Sequence, residues 1–359
     1  MIINKKLLTV ESYDNGGITD YDGYIKLDAN ESFIDLPKEK KRLLKNAIDD
    51  VNFARYPDMM AAKTAKAFGN FLGVEDKYIT VGNGSDELIS VIINGFCEKD
   101  DMVLVLSPDF SMYKFYSYIA EVSCLSIPKD KDFKPDIDML VQIISNKKPR
   151  IVIFSNPCNP TGQEISREDV ARIIKATDGL AIIDEAYMDF GNESIIPSFK
   201  DFDNLVVLKT ASKAFGLAAL RLGIAISKEE ITGKLRAVKS PYNVNAISNL
   251  FGSIVIEDND YLKTCIDTIK KSKQELFSKI KALGFDVLET ATNFVVLRDN
   301  NADEIYDFLL QKKILVRNFN WFLRITAGNK SENKAVLEAL KEYKLSLEKG
   351  ELQDEKSYN

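Results

Sequence analysis

The chain has 359 residues, more than a single hydrophobic core usually serves, so two domains are expected. Hydrophobic residues make up 45% and charged residues 28%, an ordinary globular balance, and a net charge of −6 offers no basic surface for nucleic acid. Histidine is absent, which removes Ser-His-Asp catalysis, an imidazole base and most zinc sites; proton transfer must fall to Lys, Tyr, a carboxylate, Cys, water or a cofactor. No apolar run reaches membrane-spanning length, and the opening Met-Ile-Ile-Asn-Lys-Lys lacks the layout of a signal peptide. Cys97, Cys124, Cys158 and Cys265 are scattered without a Cys-x-x-Cys pair. The expectation is a cytoplasmic protein with reduced thiols, no metal site and no membrane partner.

In chain order, residues 1–30 are polar and turn-rich and are expected to form an N-terminal arm. Residues 31–239 are expected to form a large domain. Within it, 79–81, 102–106, 151–154, 181–183, 205–208 and 222–226 are apolar, strand-like runs, with helices expected at 86–96 and 167–175, the latter capped by Ser166. Buried strands alternating with helices predict an α/β fold, with a mostly parallel sheet covered on both faces. Residues 240–348 are expected to form a smaller α+β domain. Its elements are a long helix at 262–283, strands at 294–297, 314–316 and 323–326, and helices near 302–312 and from Glu332. Residues 349–359 form a charged tail.

Chemistry-bearing residues cluster where strands end. Gly82-Asn83-Gly84-Ser85-Asp86-Glu87 joins a strand to a helix, so its free amides can hold a phosphate. It is neither a Walker sequence nor a dinucleotide fingerprint, and a tight turn with an acidic first helical turn is the bland alternative. The acids at 86 and 87 would repel an anion unless their carboxylates face away. Asp184 closes an apolar strand, the edge at which ligands bind in open α/β sheets, although a lone acid there is more often a cap. Asn156-Pro157-Cys158-Asn159-Pro160-Thr161-Gly162 is a proline-stiffened turn that aims Asn159 at the sheet edge. Phe110 and Tyr187 read as core aromatics or as ligands of a flat ring.

Lys213 lies in Thr-Ala-Ser-Lys-Ala-Phe-Gly-Leu (residues 210–217), with Arg221 just beyond. A lysine among small residues and hydroxyls, an arginine, and an acid at a strand end together point to pyridoxal phosphate (PLP). That cofactor needs a lysine for a Schiff base, an acid for its pyridine nitrogen and donors for its phosphate. Arg317 and Arg324 flank a short segment in the second domain; paired guanidinium groups suit a carboxylate or phosphate, and two solvated arginines are the alternative.

Together these segments resemble the fold-type I PLP aminotransferases, and more narrowly the histidinol-phosphate aminotransferase family. The matching stretches are Lys-Leu-Asp-Ala-Asn-Glu from Lys26, Arg-Tyr-Pro-Asp from Arg55, Gly-Asn-Gly-Ser-Asp-Glu, the double Asn-Pro loop, Asp-Glu-Ala-Tyr from Asp184, and Ser-Lys-Ala-Phe-Gly-Leu-Ala-Ala-Leu-Arg-Leu-Gly from Ser212. Thr-Asn-Phe from Thr292 and Leu-Arg-Ile-Thr-Ala-Gly from Leu323 also match. The resemblance implies that Lys213 carries the Schiff base and shuttles the proton, and that Asp184 pairs with the pyridine nitrogen. It implies that Asn159 and Tyr187 bond the ring's phenolic oxygen and that Phe110 stacks on the ring. Gly84, Ser85 and Asp86, with Thr210, Ser212 and Arg221, would hold the phosphate. Tyr56 would serve the other subunit of a homodimer, while Asn30, Asn293, Arg317 and Arg324 would meet the substrates, an amino donor and a 2-oxo acid.

Two departures border the substrate: Ser32-Phe33-Ile34 replaces the usual Asn-Pro and glycine, and the stretch between Arg317 and Arg324 is short. The rival readings are an aromatic or broad-range aminotransferase, a threonine-phosphate decarboxylase, and a PLP-binding regulator without turnover. The last is disfavoured because residues 1–30 are too short and not basic enough for a DNA-binding segment.

Overall fold

A computed structural model describes residues 4–8 and 22–349. Most of the expected arm and, beyond Lys349, the expected charged tail lie outside the described residues. The strands, in chain order, are β1 (Ile25–Lys26), β2 (Ile79–Asn83), β3 (Met102–Ser107), β4 (Ser123–Pro128), β5 (Ile151–Ser155), β6 (Leu180–Asp184), β7 (Leu205–Thr210), β8 (Leu222–Ser227), β9 (Asp286–Leu288), β10 (Phe294–Arg298), β11 (Ile314–Leu315), β12 (Arg317–Asn318) and β13 (Phe322–Thr326). The helices are α1 (Lys38–Ala47), α2 (Ala62–Leu72), α3 (Ser85–Phe96), α4 (Met112–Ile119), α5 (Ile137–Lys147), α6 (Arg167–Ala176), α7 (Glu229–Val238), α8 (Ala246–Ile256), α9 (Asn259–Ala282), α10 (Ala302–Gln311) and α11 (Lys330–Lys349).

Seven strands form the central sheet in the order β2-β8-β7-β6-β5-β3-β4. Only β8 runs against the rest, pairing antiparallel with both β2 and β7. The inner strands are apolar because both faces are covered: Val152, Phe154, Ile183 and Val207 pack on one side, and Ile151, Ile153, Ile182 and Val206 on the other. α3 presents Leu88, Ile89, Ile92 and Ile93 to the second face, all essentially inaccessible. Burying each such side chain contributes roughly 1.5–3 kcal/mol. Ser166 caps α6 as its position predicts, its hydroxyl accepting from the Asp169 amide at 3.2 Å.

A four-stranded antiparallel sheet, β12-β13-β10-β9, lies beside the larger one, and β1 pairs in parallel with β11. The expected single strand at 314–316 is therefore two short ones, because the chain changes partner sheet at Val316. Side chains after residue 240 join the first core as far as Ile269 and again at Phe294, Val296 and Phe322; the second core draws on most of the rest from Leu276 onward and also takes in Leu27. Several elements carry no strong apolar signal. β4 is an edge strand, largely exposed and ending in proline, so it needs little hydrophobic sequence. α1 is lysine-rich and buries only Lys40 and Leu44.

Candidate active site

The carboxyl ends of the parallel strands and one face of the smaller sheet enclose a cavity of about 600 Å³. Its lining brings together Asn30, Ser85, Asp86, Phe110, Asn159, Asp184, Tyr187, Thr210, Ser212, Lys213, Arg221, Arg317 and Arg324. Gly84 adjoins it. Asn293 is buried behind Asn30, its amide donating to the Asn30 carbonyl at 3.0 Å. Tyr56 is apart from these residues, 81% exposed and stacked on Tyr242 at 4.6 Å.

One end is built for an anion. Gly84, at φ +87°, precedes the first turn of α3, and a Cβ there would lie 2.8 Å from Arg221 Nη2. A Cβ on Gly223 would lie 2.1 Å from the Ser85 nitrogen. Bare backbone at these two positions lets the arginine close on the free amides of the helix start. Thr210 and Ser212 share a hydrogen bond of 3.0 Å between hydroxyls, and Arg221 Nη1 reaches Ser212 Oγ at 3.5 Å. Glu87 is drawn off the cradle, accepting from the Asn83 amide and Asn243, each at 2.6 Å. Asp86 accepts from the Tyr116 hydroxyl at 2.8 Å through one oxygen and still lines the cavity, so the expected turning-away of both acids holds for Glu87 only.

The floor is Asp184. Burial pushes its carboxyl up to about 6, opposed by the Tyr113 hydroxyl at 2.8 Å and the Ala186 amide at 3.1 Å. Tyr113 is itself fully buried, so its phenol stays a donor, pushed well above its ordinary value by burial and then by Asp184. The sequence reading passes over Tyr113. Its signal is its place three residues after Phe110, one turn along, and the two rings meet edge to face at 5.6 Å.

Tyr187 has its phenol pushed up to about 12 by burial and accepts from Asn30 Nδ2 at 2.8 Å. Asn30 takes the left-handed conformation at φ +52°, tied to Thr326 through its amide and side chain. Lys213 donates to the Ala29 carbonyl at 3.0 Å. Burial, then Arg324, pull its ammonium down to about 8. A lysine so placed is a competent amine nucleophile near neutrality.

At the rim, Arg317 and Arg324 stand directly opposite one another on antiparallel β12 and β13, and both line the cavity. The short connecting stretch is thus a hairpin turn, with Asn320 at φ +70°. Arg324 is 8% exposed; its guanidinium donates to Asn159 Oδ1 and the Asp28 carbonyl, and lies 5.5 Å from the Phe294 ring. Like charges opposed across a sheet cost energy unless an anion comes between them. The other departure, Ser32-Phe33-Ile34, packs on the lysine loop. Gly216 sits at φ +67°, where a Cβ would be 3.0 Å from the Ile34 carbonyl.

The donor set fits PLP: a lysine of lowered pKa, a buried carboxylate on the same cavity, and a cradle at a helix start that a Cβ would fill. The aminotransferase class I and II family matches residues 22–340, and the chain belongs to that family, the PLP-dependent aminotransferases. Within it, the chain is 41% identical to the histidinol-phosphate aminotransferase of Clostridium novyi, over 88% of this chain and 91% of that one. It is 37% identical to the namesake of a Thermoanaerobacter species over 88% and 92%. The histidinol-phosphate aminotransferase structure from Clostridium acetobutylicum superposes with a TM-score of 0.81 at 26% identity, over 88% of this chain and 98% of that one. The Sinorhizobium meliloti structure, in complex with pyridoxal-5'-phosphate, gives 0.88 at 23% over 96% and 98%.

Proposed function

We propose that this aminotransferase exchanges an amine between L-histidinol phosphate and 2-oxoglutarate, giving imidazole acetol phosphate and glutamate. The observation that carries this reading is the in-register pair Arg317 and Arg324 on the cavity wall that faces Lys213. One site must take the phosphate of one amine and the α-carboxylate of the other. A planar guanidinium pairs with either anion, and the second cation suits the larger charge of a phosphate.

When bound, PLP supplies a carbonyl for the incoming amine and a ring that accepts electrons. Lys213 would hold it through its side-chain amine and would be the group that carries a proton at the substrate α-carbon. Asp184 would face the ring nitrogen and favour its protonated form; Tyr113 and the Ala186 amide hold the two carboxylate oxygens in place. Phe110 would pack on the ring face, and Asn159 and Tyr187 would bond the phenolic oxygen. The amides of Ser85 and Asp86, beside Gly84 and with Thr210, Ser212 and Arg221, would hold the phosphate. Asn30 and Asn293 set the Tyr187 side of the substrate space.

The protein is proposed to act as a cytoplasmic homodimer in which Tyr56 serves the neighbouring site. Its high exposure, next to exposed Phe53 and Met59, suits a covered position between subunits. Among the described residues, no helix is long and apolar enough to cross a membrane.

Half-reactions followed by absorbance test the substrate. Conversion to the pyridoxamine form by histidinol phosphate and by glutamate is expected. Conversion by phenylalanine or tyrosine alone sinks the reading in favour of an aromatic aminotransferase, and carbon dioxide release from threonine phosphate sinks it in favour of a decarboxylase. For the dimer, inactive Tyr56→Ala and Lys213→Ala chains should regain activity when mixed. Silence despite demonstrated subunit exchange places Tyr56 in its own subunit's service or in none.

A further inference from the structure

Behind the wall that carries Phe110 and Asn159 lies a buried charge cluster with no part in the roles above. Lys129 follows directly on β4, and its side chain and that of Asp109 are each 2% exposed. Lys129 Nζ lies 2.9 Å from the Pro108 carbonyl, 2.9 Å from Cys158 Sγ and 3.6 Å from Asp109 Oδ2. Asp109 in turn accepts from the Phe110 amide at 2.8 Å, the Ser155 amide at 3.3 Å and the Ser155 hydroxyl. Ser155 Oγ accepts from the Asn159 amide at 3.1 Å. A single ammonium thus fastens two loops, one ending in Phe110 and the other carrying Asn159, from the side away from the cavity.

We propose that Lys129, acting through Asp109, Ser155 and Cys158, is a positioning residue that fixes Phe110 and Asn159 relative to each other across the ring site. The inference rests on the roles given to those two residues above. Lysine suits the task because its three donors fan out to three partners from one point. The arrangement is costly to build by accident. Burial pushes the Asp109 carboxyl up, and the facing lysine is the largest influence opposing that. A serine or backbone donor in place of the lysine would leave the carboxylate without a counter-charge.

The test uses purified holoenzyme and apoenzyme of wild type, Asn159→Ala, Lys129→Met and the double variant Lys129→Met/Asp109→Asn. The double variant strands no buried carboxylate and guards against a failure to fold. Two quantities are read: the affinity of the apoprotein for PLP, and the pH midpoint at which the lysine-bound cofactor changes absorbance. Both Lys129 variants should bind PLP roughly tenfold more weakly, about one well-placed hydrogen bond's worth. Both should raise the midpoint, because a ring oxygen that loses a donor holds its shared proton more tightly. A lower melting temperature with wild-type affinity and midpoint in both variants overturns the inference, since a merely structural residue would behave that way. If Asn159→Ala itself leaves the midpoint unmoved, the role of Asn159 has failed and Lys129 loses its object. If Asn159→Ala moves it and the Lys129 variants do not, only the Lys129 inference has failed.

Discussion

At the floor of the cavity, Asp184 and Thr210 end strands buried on both faces; Asp184 accepts from Tyr113 and the Ala186 amide, and Thr210 from the Ser212 amide. At the rim, Arg317 and Arg324 stand on the hairpin of a small antiparallel sheet, with Trp321 at its tip 47% exposed. The floor's groups are held by hydrogen bonds within the protein; the rim places two guanidinium-bearing residues in register. A site divided in this way can change what it recognises at the hairpin and the 32–34 segment while its strand ends continue to serve the same chemistry.

The largest test of that division is at the floor. Lys213→Ala should reduce turnover below detection and abolish the borohydride-reducible link to PLP, read by intact mass. The fold should persist, since Lys213 spends only one hydrogen bond on the Ala29 carbonyl. Asp184→Asn should cost roughly 10²–10³ in kcat, the scale of losing a preorganised electrostatic contact. The same variant carries a stability signature. The Asp184 carboxyl is raised from 3.8 to about 6, so the proton it binds stabilises the folded apoprotein below the ordinary value, and that contribution is lost as pH rises through about 6. The unfolding free energy of wild-type apoprotein, compared with the amide variant, should therefore fall by on the order of 3 kcal/mol between acid and neutral pH. A flat difference would mean that Asp184 is not desolvated.

At the rim the effects should be smaller and substrate-dependent. Arg324→Ala should lower kcat/KM tens-fold for both amines, each charge-assisted contact being worth roughly 1.5–3 kcal/mol. Arg317→Ala should hurt the phosphorylated amine several-fold more than glutamate; equal losses would blur the line between floor and rim. Smallest is Tyr113→Phe, a loss of roughly 0.5–1.5 kcal/mol, since the Ala186 amide still holds the carboxylate. Because that bond lowers the Asp184 pKa, its removal should move the acid limb of the rate profile to higher pH.

Much of this site was legible because its parts are backbone-bound. Glycines at 84 and 223, the Asn-Pro loop and the strand-end acid are dictated by close approach and chain direction, which leave a local mark in sequence. What escaped is held together across long separations. Tyr113 looks like any aromatic on an apolar helix face until its hydroxyl is seen on Asp184. Lys129, Asp109 and Cys158 are a lysine after a strand, an acid in a turn and a stray thiol until the sheet brings β3, β4 and β5 side by side. The same limit applies to Arg317 and Arg324: their spacing was plain, but their register depends on where the hairpin turns. The central strands were found because two-sided burial demands unbroken apolar runs, whereas β4 and α1, half in water, are under no such demand.

The missing histidine and the buried site together make this protein unusually transparent to proton counting. In most proteins imidazoles dominate the uptake of protons between about pH 5.5 and 8, and ordinary carboxylates, tyrosines and lysines titrate outside that window. Here burial places Asp184 and its neighbour Glu185 near 6, and Lys213 near 8. A potentiometric titration of the whole apoenzyme across neutrality, with no imidazole in the way, therefore reads these groups together with buried Asp109, whose carboxyl burial also pushes up, and Lys239 and Lys273, whose ammoniums burial pulls down. The protons released when PLP enters can be counted against a background that contains no imidazole.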